Sequence, residues 1–288
     1  MKIKTKNALT GYALVLPLLL GFVIFYAVPF CMVVWYSVTK GSGKMQSFVF
    51  LENYFELFDN ELFVLAMKNT ALFLLVGLSS ILVISYAIAL FLKSCPRISK
   101  LLRSLILMPY VMPIVGTVLI VDILFSEAGL GNVILTSLGL PIRDWLNSDS
   151  AFWVMVMLYI WKNTGYSVVL ILSGLATISD EQYAAASLDG ANGLQKFRFI
   201  TMPQMWYSVF FAGIFSLINA FKSFREIFLL GGTHPHESIY MLQHFINNCF
   251  EKLSYSKMAV TSVLMALGVC VLFLVCYLSV MRKEEYKE

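Results

Sequence analysis

The sequence predicts an all-α membrane protein that crosses the bilayer six times. Two observations predict this fold. Hydrophobic residues occupy 59% of the 288 positions and charged residues only 13%, whereas an ordinary soluble domain carries about 25% charged residues. Long apolar stretches also recur along the chain, and roughly 20 apolar residues are enough for a helix to cross the hydrocarbon core. A β-barrel is excluded, because its strands would alternate over about 10 residues.

The expected spans form a single polytopic domain over residues 1–288. They cover residues 12–38, 66–92, 104–125, 152–178, 207–230 and 258–280. The first stretch is too long for the apolar region of a signal peptide and no small-residue cleavage site follows it, so we expect it to be retained. Prolines should kink two of the helices, Pro17 and Pro29 the first, Pro109 and Pro113 the third.

Basic residues predict the orientation of the chain. They concentrate in four segments that fall on one side of the membrane: Lys2, Lys4 and Lys6; Lys93, Arg97, Lys100 and Arg103; Lys196 and Arg198; and Arg282, Lys283 and Lys287. Short loops rich in Lys and Arg stay in the cytoplasm. We therefore expect a multi-pass protein of the cell membrane with both termini cytoplasmic.

Several function classes are excluded by what the sequence lacks. The net charge of +4 is modest and scattered, so nucleic acid is not an expected partner. The five cysteines and three histidines show neither metal-ligand spacing nor a disulfide pattern, and there is no H-E-x-x-H motif. No histidine lies in an expected span to serve as a base. We predict no catalytic residue, no metal site and no enzyme activity.

A polar segment between the fourth and fifth spans, residues 179–203, predicts two short cytoplasmic helices. Ser179 is positioned to cap the first helix, with Gln182 completing a capping box. Asn192 and Gln195 offer the same pattern for the second helix. The sequence thus predicts a helix–turn–helix at the membrane surface.

The turn and the end of this segment have their own signals. Gly190 can adopt the left-handed conformation that ends a helix, and Pro203 should turn the chain out of the helix before the fifth span. Small residues at 184–186 would let another protein approach the backbone closely. The alternative is a hairpin that lies on the headgroups, but such anchors are usually basic with a strong apolar face.

The segment resembles the cytoplasmic loop of permease subunits of binding-protein-dependent ABC importers, in the branch that includes maltose and glycerol-phosphate systems. The matching residues are Ala185, Ala186, Asp189, Gly190, Ala191, Phe197, Ile200 and Pro203, with Met202 where leucine is usual. Further similarity lies in Phe224-Arg225-Glu226-Ile227, Gly231-Gly232 and Met241-Leu242-Gln243. The resemblance covers essentially the whole chain.

One position departs from the family pattern. The loop's leading glutamate, which the resemblance implies meets a basic residue of the ATPase, is replaced by Ala184. Our hypothesis is that Glu181, three residues earlier on the same helical face, supplies that charge.

The resemblance implies a mechanism and a set of partners. Two permease subunits, expected to form a heterodimer, would make the pore, a cytosolic ATPase dimer would bind beneath them through the 179–203 loops, and an extracellular solute-binding protein would deliver a sugar. The chain has no G-x-x-x-x-G-K-[ST] motif, so ATP and Mg²⁺ would be bound by the ATPase. This chain itself is expected to hold no cofactor, and its remaining surface contacts membrane lipid.

Polar residues inside the spans are candidates for the substrate path, because charges in lipid are costly. The candidates are Trp161, Lys162, Asn163 and Tyr166 in the fourth span and Asn219 in the fifth. Alternatively, Lys162 pairs with a carboxylate of a neighbouring helix.

In the fifth span, Lys222 and Glu226 are four residues apart and are expected to pair with each other. Glu226 is expected near the outer end of that span. Two other functions stay open: an ABC permease for a non-sugar solute, and a secondary transporter. The second usually needs a midplane carboxylate.

Overall fold

The computed structural model describes residues 2–41 and 46–281, and the side chains of residues 11–41 and 46–278. The basic side chains at both chain ends on which the predicted orientation partly depends (Lys2, Lys4, Lys6, Arg282, Lys283 and Lys287) lie outside this part. Among the described residues, six helices are long and apolar enough to cross a membrane. We call them span 1 to span 6: Gly11–Ser37, Glu61–Ser94, Ile114–Ser137, Ser150–Leu175, Trp206–Gly231 and Tyr255–Leu278. The six-span helical fold is confirmed.

The elements follow one another closely along the chain. The helices are Lys2–Phe22, Val28–Ser37, Glu52–Phe58, Glu61–Ser94, Pro96–Val111, Ile114–Phe125, Leu130–Ser137, Ser150–Leu175, Asp180–Leu188, Gly193–Lys196, Met202–Gln204, Trp206–Lys222, Phe224–Gly231, Leu242–Glu251 and Tyr255–Met281. π-helical turns cover Val23–Ala27 and Phe197–Thr201, and a 3₁₀ turn covers Glu237–Ile239. Thr39–Lys40 and Ser47–Phe48 form a two-stranded antiparallel hairpin in which Thr39 faces Phe48.

The predicted third span, residues 104–125, is not one helix. Pro96–Val111 ends and Ile114–Phe125 begins on either side of Met112, which has an extended backbone (φ −62°, ψ 137°). A residue before proline is pushed out of the helical region, and Pro113 follows Met112. The helix that precedes this break starts eight residues earlier than the predicted span.

The chain divides into two compact units, Met1–Val64 with Phe245–Gly268, and Leu65–His244 with Val269–Glu288. In the first unit, Asn53 joins the helix Glu52–Phe58 to the hairpin. Its amide donates to the carbonyl oxygens of Ser37 at 3.0 Å and Thr39 at 2.9 Å. Because a buried amide must be hydrogen-bonded, this residue fixes how the chain leaves span 1.

The second unit is built around span 4, which supplies buried residues to two apolar clusters. Gly165 explains how closely a neighbour approaches this helix. A Cβ atom added there would overlap the backbone carbonyl of Ile106 in the helix Pro96–Val111. Small residues permit such close helix crossings in membranes, so span 4 is the centre of this unit.

Two π-helical turns share one cause. Val28 donates to the carbonyl of Val23, and Met202 donates to that of Phe197, in both cases five residues back. Each donor directly precedes a proline, Pro29 or Pro203. Because proline has no N–H to continue the α-helical pattern, the helix widens by one residue before it and then resumes.

Candidate functional site

The 179–203 segment forms two helices around a turn, as predicted. The first is Asp180–Leu188. Gly190 follows it with φ +79°, a left-handed conformation that costs glycine little. Asn192 caps the second helix with a complete capping box: its Oδ1 accepts from Gln195 N at 2.9 Å, and its own N–H donates to Gln195 Oε1 at 2.7 Å.

Two predictions about this segment are wrong. The Ser179 side chain makes no capping hydrogen bond, and the Gln182 N–H donates to the Ser179 carbonyl instead, at 3.3 Å. The Gln182 side chain does not complete the box either, because its Oε1 accepts from Gln204 Nε2 at 2.6 Å. Pro203 does not turn the chain out of the helix either. The π turn accommodates the proline, so the helical path continues through it to Gln204 and bends only at Met205.

Further hydrogen bonds fix the two helices to each other. The hydroxyls of Tyr183 and Thr201 are 2.8 Å apart, and Lys196 Nζ donates to Ser187 Oγ at 2.6 Å. Lys93, in the last turn of span 2, places its Nζ 4.7 Å from the centre of the Tyr183 ring. A displacement of the segment would therefore be transmitted to the end of span 2.

The outward face of the segment is a mixture of polar and apolar groups. Glu181, Ala184, Ala185 and Asp189 are exposed, whereas Ala186, Ala191 and Ile200 are half-buried. Sequence reasoning missed its largest feature, three exposed apolar side chains: Leu188 at 90%, Leu194 at 75% and Phe199 at 71%. Their signal was available, since large apolar residues in short, polar helices often mark a contact surface.

Inside the spans, Lys162 forms an ion pair with Glu226. The Nζ–Oε1 distance is 2.5 Å, and the two side chains are only 13% and 7% exposed. The predicted pair between Lys222 and Glu226 is wrong, because Glu226 faces span 4 and Lys222 is exposed. Glu226 lies five residues before the last residue of span 5, and its partner Lys162 lies in the middle of span 4.

The other residues of the expected substrate path differ in exposure. Trp161 is 40% exposed, whereas Asn163 and Asn219 are buried. Asn163 donates to the carbonyl of Tyr159 at 2.8 Å. Tyr166 is half-buried.

Tyr166 belongs to an aromatic cluster that sequence reasoning did not identify. Its ring stacks on Tyr110 with centroids 4.9 Å apart and meets the edge of Phe215 at 5.5 Å. The three residues come from separate helices, so no sequence spacing links them. Flat aromatic faces of this kind can pack against the apolar face of a ring-shaped ligand.

No group of three or more His, Cys, Asp or Glu side chains that could hold a metal ion exists among the described residues. Within residues 2–41 and 46–281, the candidate site therefore consists of the 179–203 segment, the Lys162–Glu226 pair and the aromatic cluster.

Comparison with known proteins identifies the family. A family profile described as "Binding-protein-dependent transport system inner membrane component" matches residues 81–282. The trehalose/maltose transport system permease protein MalF of Thermococcus litoralis is 30% identical over 81% of this chain and 81% of its own length. The sn-glycerol-3-phosphate transport system permease protein UgpA of Yersinia pestis is 30% identical over 96% of this chain and 95% of its own length.

The fold also matches a solved structure. A chain of a bacterial ABC transporter involved in the import of the acidic polysaccharide alginate superposes with a TM-score of 0.82, at 20% identity, over 97% of each chain. The family profile covers more than half of the sequence. The chain is therefore a transport permease rather than an enzyme, and it belongs to the family of binding-protein-dependent transport system inner membrane components.

Proposed function

We propose that this chain forms half of the pore of an ATP-driven sugar importer. A second, related permease would complete the pore, a cytosolic ATPase dimer would bind the 179–203 segments, and an extracellular binding protein would deliver the sugar. The observation that carries the proposal is the family match together with the geometry of the 179–203 segment. Both chain ends and this segment would lie in the cytoplasm.

The segment supports an ATPase contact through its exposed apolar residues. Leu188 is the last residue of the helix Asp180–Leu188 and is 90% exposed, so its burial against another protein would stabilise a complex by about 1.5–3 kcal/mol. The hydrogen bonds to Thr201 and the contact with Lys93 then give motion of that partner a route into spans 2 and 5. An anchor that merely lies on headgroups has no need of those fixed contacts.

The substrate class is supported by relatives that are named for trehalose, maltose and sn-glycerol-3-phosphate transport. The cluster of Tyr110, Tyr166 and Phe215 offers flat faces to a sugar ring, and Trp161 adds an exposed indole nearby in the sequence. In this proposal Lys162 has a structural role, because its ammonium group is already paired with the Glu226 carboxylate. Uptake of a non-sugar solute by the reconstituted importer, with no sugar transported, would replace this part of the proposal.

The first test is purification of the tagged chain in mild detergent, with co-purifying proteins identified by mass spectrometry. We expect a soluble ATPase and a second permease. Leu188→Glu should lose the ATPase and keep the permease. The matched control is Leu138→Glu, at a leucine that is 67% exposed and lies outside the segment. If both variants keep the ATPase, the segment is not its docking site. If the wild-type chain is recovered alone under several gentle conditions, a stand-alone carrier becomes the better explanation.

The hypothesis for Glu181 has its own test. Glu181→Gln should slow transport-coupled ATP hydrolysis about twofold to fivefold, the weight of one exposed ion pair. Asp180→Asn is the matched control, since it removes a charge from the same helical turn. Equal rates of ATP hydrolysis in the two variants would contradict the hypothesis that Glu181 supplies the charge missing at Ala184.

A further inference from the structure

A cavity of about 610 Å³ lies at the C-terminal ends of spans 2 and 4, beside the start of the helix Pro96–Val111. Its volume is in the range of about 300–1,000 Å³ that is typical of ligand pockets. It is lined by Leu92, Lys93, Pro96, Ser99, Lys100, Arg103, Ser104, Leu172, Leu175 and Ala176. Three of these described lining residues are basic and none is acidic, so the cavity favours an anion.

The basic groups are differently engaged. Lys93 Nζ donates to the carbonyl of Leu175 at 3.2 Å, which satisfies the end of span 4 and fixes the ammonium at the cavity wall. Lys100 and Arg103 are exposed, and neither forms an ion pair with a carboxylate of the described residues. Two cations one helical turn apart are therefore available to a ligand.

A buried hydroxyl points to the same ligand. Ser99 is 4% exposed and lines the cavity, and its Oγ has no hydrogen-bond partner among the described residues. Buried polar atoms are nearly always hydrogen-bonded. A phosphate oxygen in the cavity would accept from this hydroxyl once the Ser99 side chain turns from its buried position toward the cavity.

The helix Pro96–Val111 adds a fourth favourable group. It is 16 residues long, its N-terminus is at the cavity, and Cys95 provides no side-chain cap. The unpaired N–H groups and the dipole at such a terminus attract phosphate. Lys100, Arg103, the Ser99 hydroxyl and the helix terminus thus converge on one volume.

The position of the cavity favours a lipid over a free anion. It lies where two membrane spans end, so the acyl chains of a phospholipid can lie in the bilayer beside these spans while its headgroup meets the basic residues. Basic pockets between membrane helices bind anionic headgroups in this way. We propose that this cavity is a binding site for the phosphate headgroup of an anionic phospholipid.

The test is native mass spectrometry of the purified full-length chain with its co-purifying subunits. The probes are phosphatidylglycerol, with phosphatidylcholine as the neutral comparison. We expect the wild type to bind phosphatidylglycerol preferentially. Lys100→Gln and Arg103→Gln should each weaken binding about fivefold. Arg97→Gln is the matched control, because it removes an exposed charge from the same helix but does not line the cavity.

Two further arms separate the alternatives. Ser104→Leu, at an exposed residue of the lining, narrows the cavity without changing charge and should also weaken binding, which keeps the proposal testable if a charge variant fails to fold. Inorganic phosphate is added as a competitor and should displace little of the lipid. Equal losses in Arg97→Gln and Arg103→Gln would mean unspecific surface attraction. Full displacement by inorganic phosphate would identify a free-anion site. Either result overturns the proposal.

Discussion

Two ion clusters in this protein use the same residue types in opposite surroundings. Lys162 and Glu226 pair in the interior, with side chains 13% and 7% exposed. Lys40 bonds to Glu56 and Glu52 beside the hairpin, where all three side chains are 44–55% exposed. Hydrogen bonds to Glu56 and then Glu52 raise the pKa of Lys40 above its usual value. The same kind of ion pair therefore contributes differently to stability in the two places. Loss of one partner leaves a buried charge without compensation, whereas water solvates an exposed charge that has lost its partner.

The largest effect should come from breaking the buried pair. Lys162→Met leaves the Glu226 carboxylate buried without a partner, and we expect a loss of about 3–5 kcal/mol in the free energy of unfolding. Thermal unfolding in detergent measures this. Lys222→Met, at an exposed position of span 5, is the control and should change little. Similar losses in both variants would show that the Lys162–Glu226 pair stabilises the protein no more than an exposed lysine does.

The double variant Lys162→Met, Glu226→Leu should recover most of that stability. It replaces both buried charges with apolar groups of comparable size, a change that is often neutral or stabilising. A double-mutant cycle on unfolding temperatures checks it. A double variant as unstable as Lys162→Met would mean that Glu226 has further favourable contacts.

A buried group without a charged partner sharpens the comparison. His244 is fully buried, and its Nδ1 accepts from Met241 N at 3.2 Å. Burial, with a smaller effect of His234, lowers the pKa of His244 to about 4. The unfolded chain, with a histidine pKa near 6.5, binds a proton that the folded chain does not. Stability should therefore fall as pH drops from about 6.5 to about 4, by up to about 1.4 kcal/mol per pH unit.

Unfolding temperatures of the wild type at pH 7.5 and pH 5 measure this dependence. His244→Phe should reduce it, whereas His236→Gln should retain it. If His244→Phe keeps the full dependence on pH, another group is responsible.

The smallest effect is expected at the exposed cluster. Lys40→Met should shift the unfolding temperature far less than Lys162→Met, because water and ions replace the lost contacts. Raising the salt concentration should shrink the difference from wild type further. A shift as large as that of Lys162→Met would contradict the comparison.

The sequence predicted the features that depend on neighbours along the chain. The number of membrane spans follows from the number of apolar stretches that are long enough to cross a bilayer, and these stretches are visible in the sequence itself. The Gly190 turn and the Asn192 cap each depend on residues within one helical turn. The break near Pro113 was expected as a kink and proved to be a full interruption, since Met112 leaves the helical region.

The sequence did not identify which partner a side chain takes from a distant helix: a carboxylate of a neighbouring helix was one alternative for Lys162, but Glu226 was not named as that carboxylate. Lys222 is four residues from Glu226 and looked like its natural partner, yet the close packing of span 4 brings Lys162 to it instead. Ser179 similarly had a local cap pattern, but Gln182 bonds to Gln204 across the segment. In both cases a contact between helices forms in place of a plausible local contact. The spacing of residues along the sequence does not predict such contacts.

The π turn at Phe197–Thr201 has a consequence for the rotational register of the segment. A π turn holds one more residue than an α-helical path over the same length, and each residue rotates a helix by roughly 100°. The extra residue before Pro203 therefore sets how the second helix, including exposed Leu194, is rotated relative to span 5. Removing one residue from 197–201 would rotate the second helix by roughly 100° relative to span 5 without changing any side chain on its exposed face.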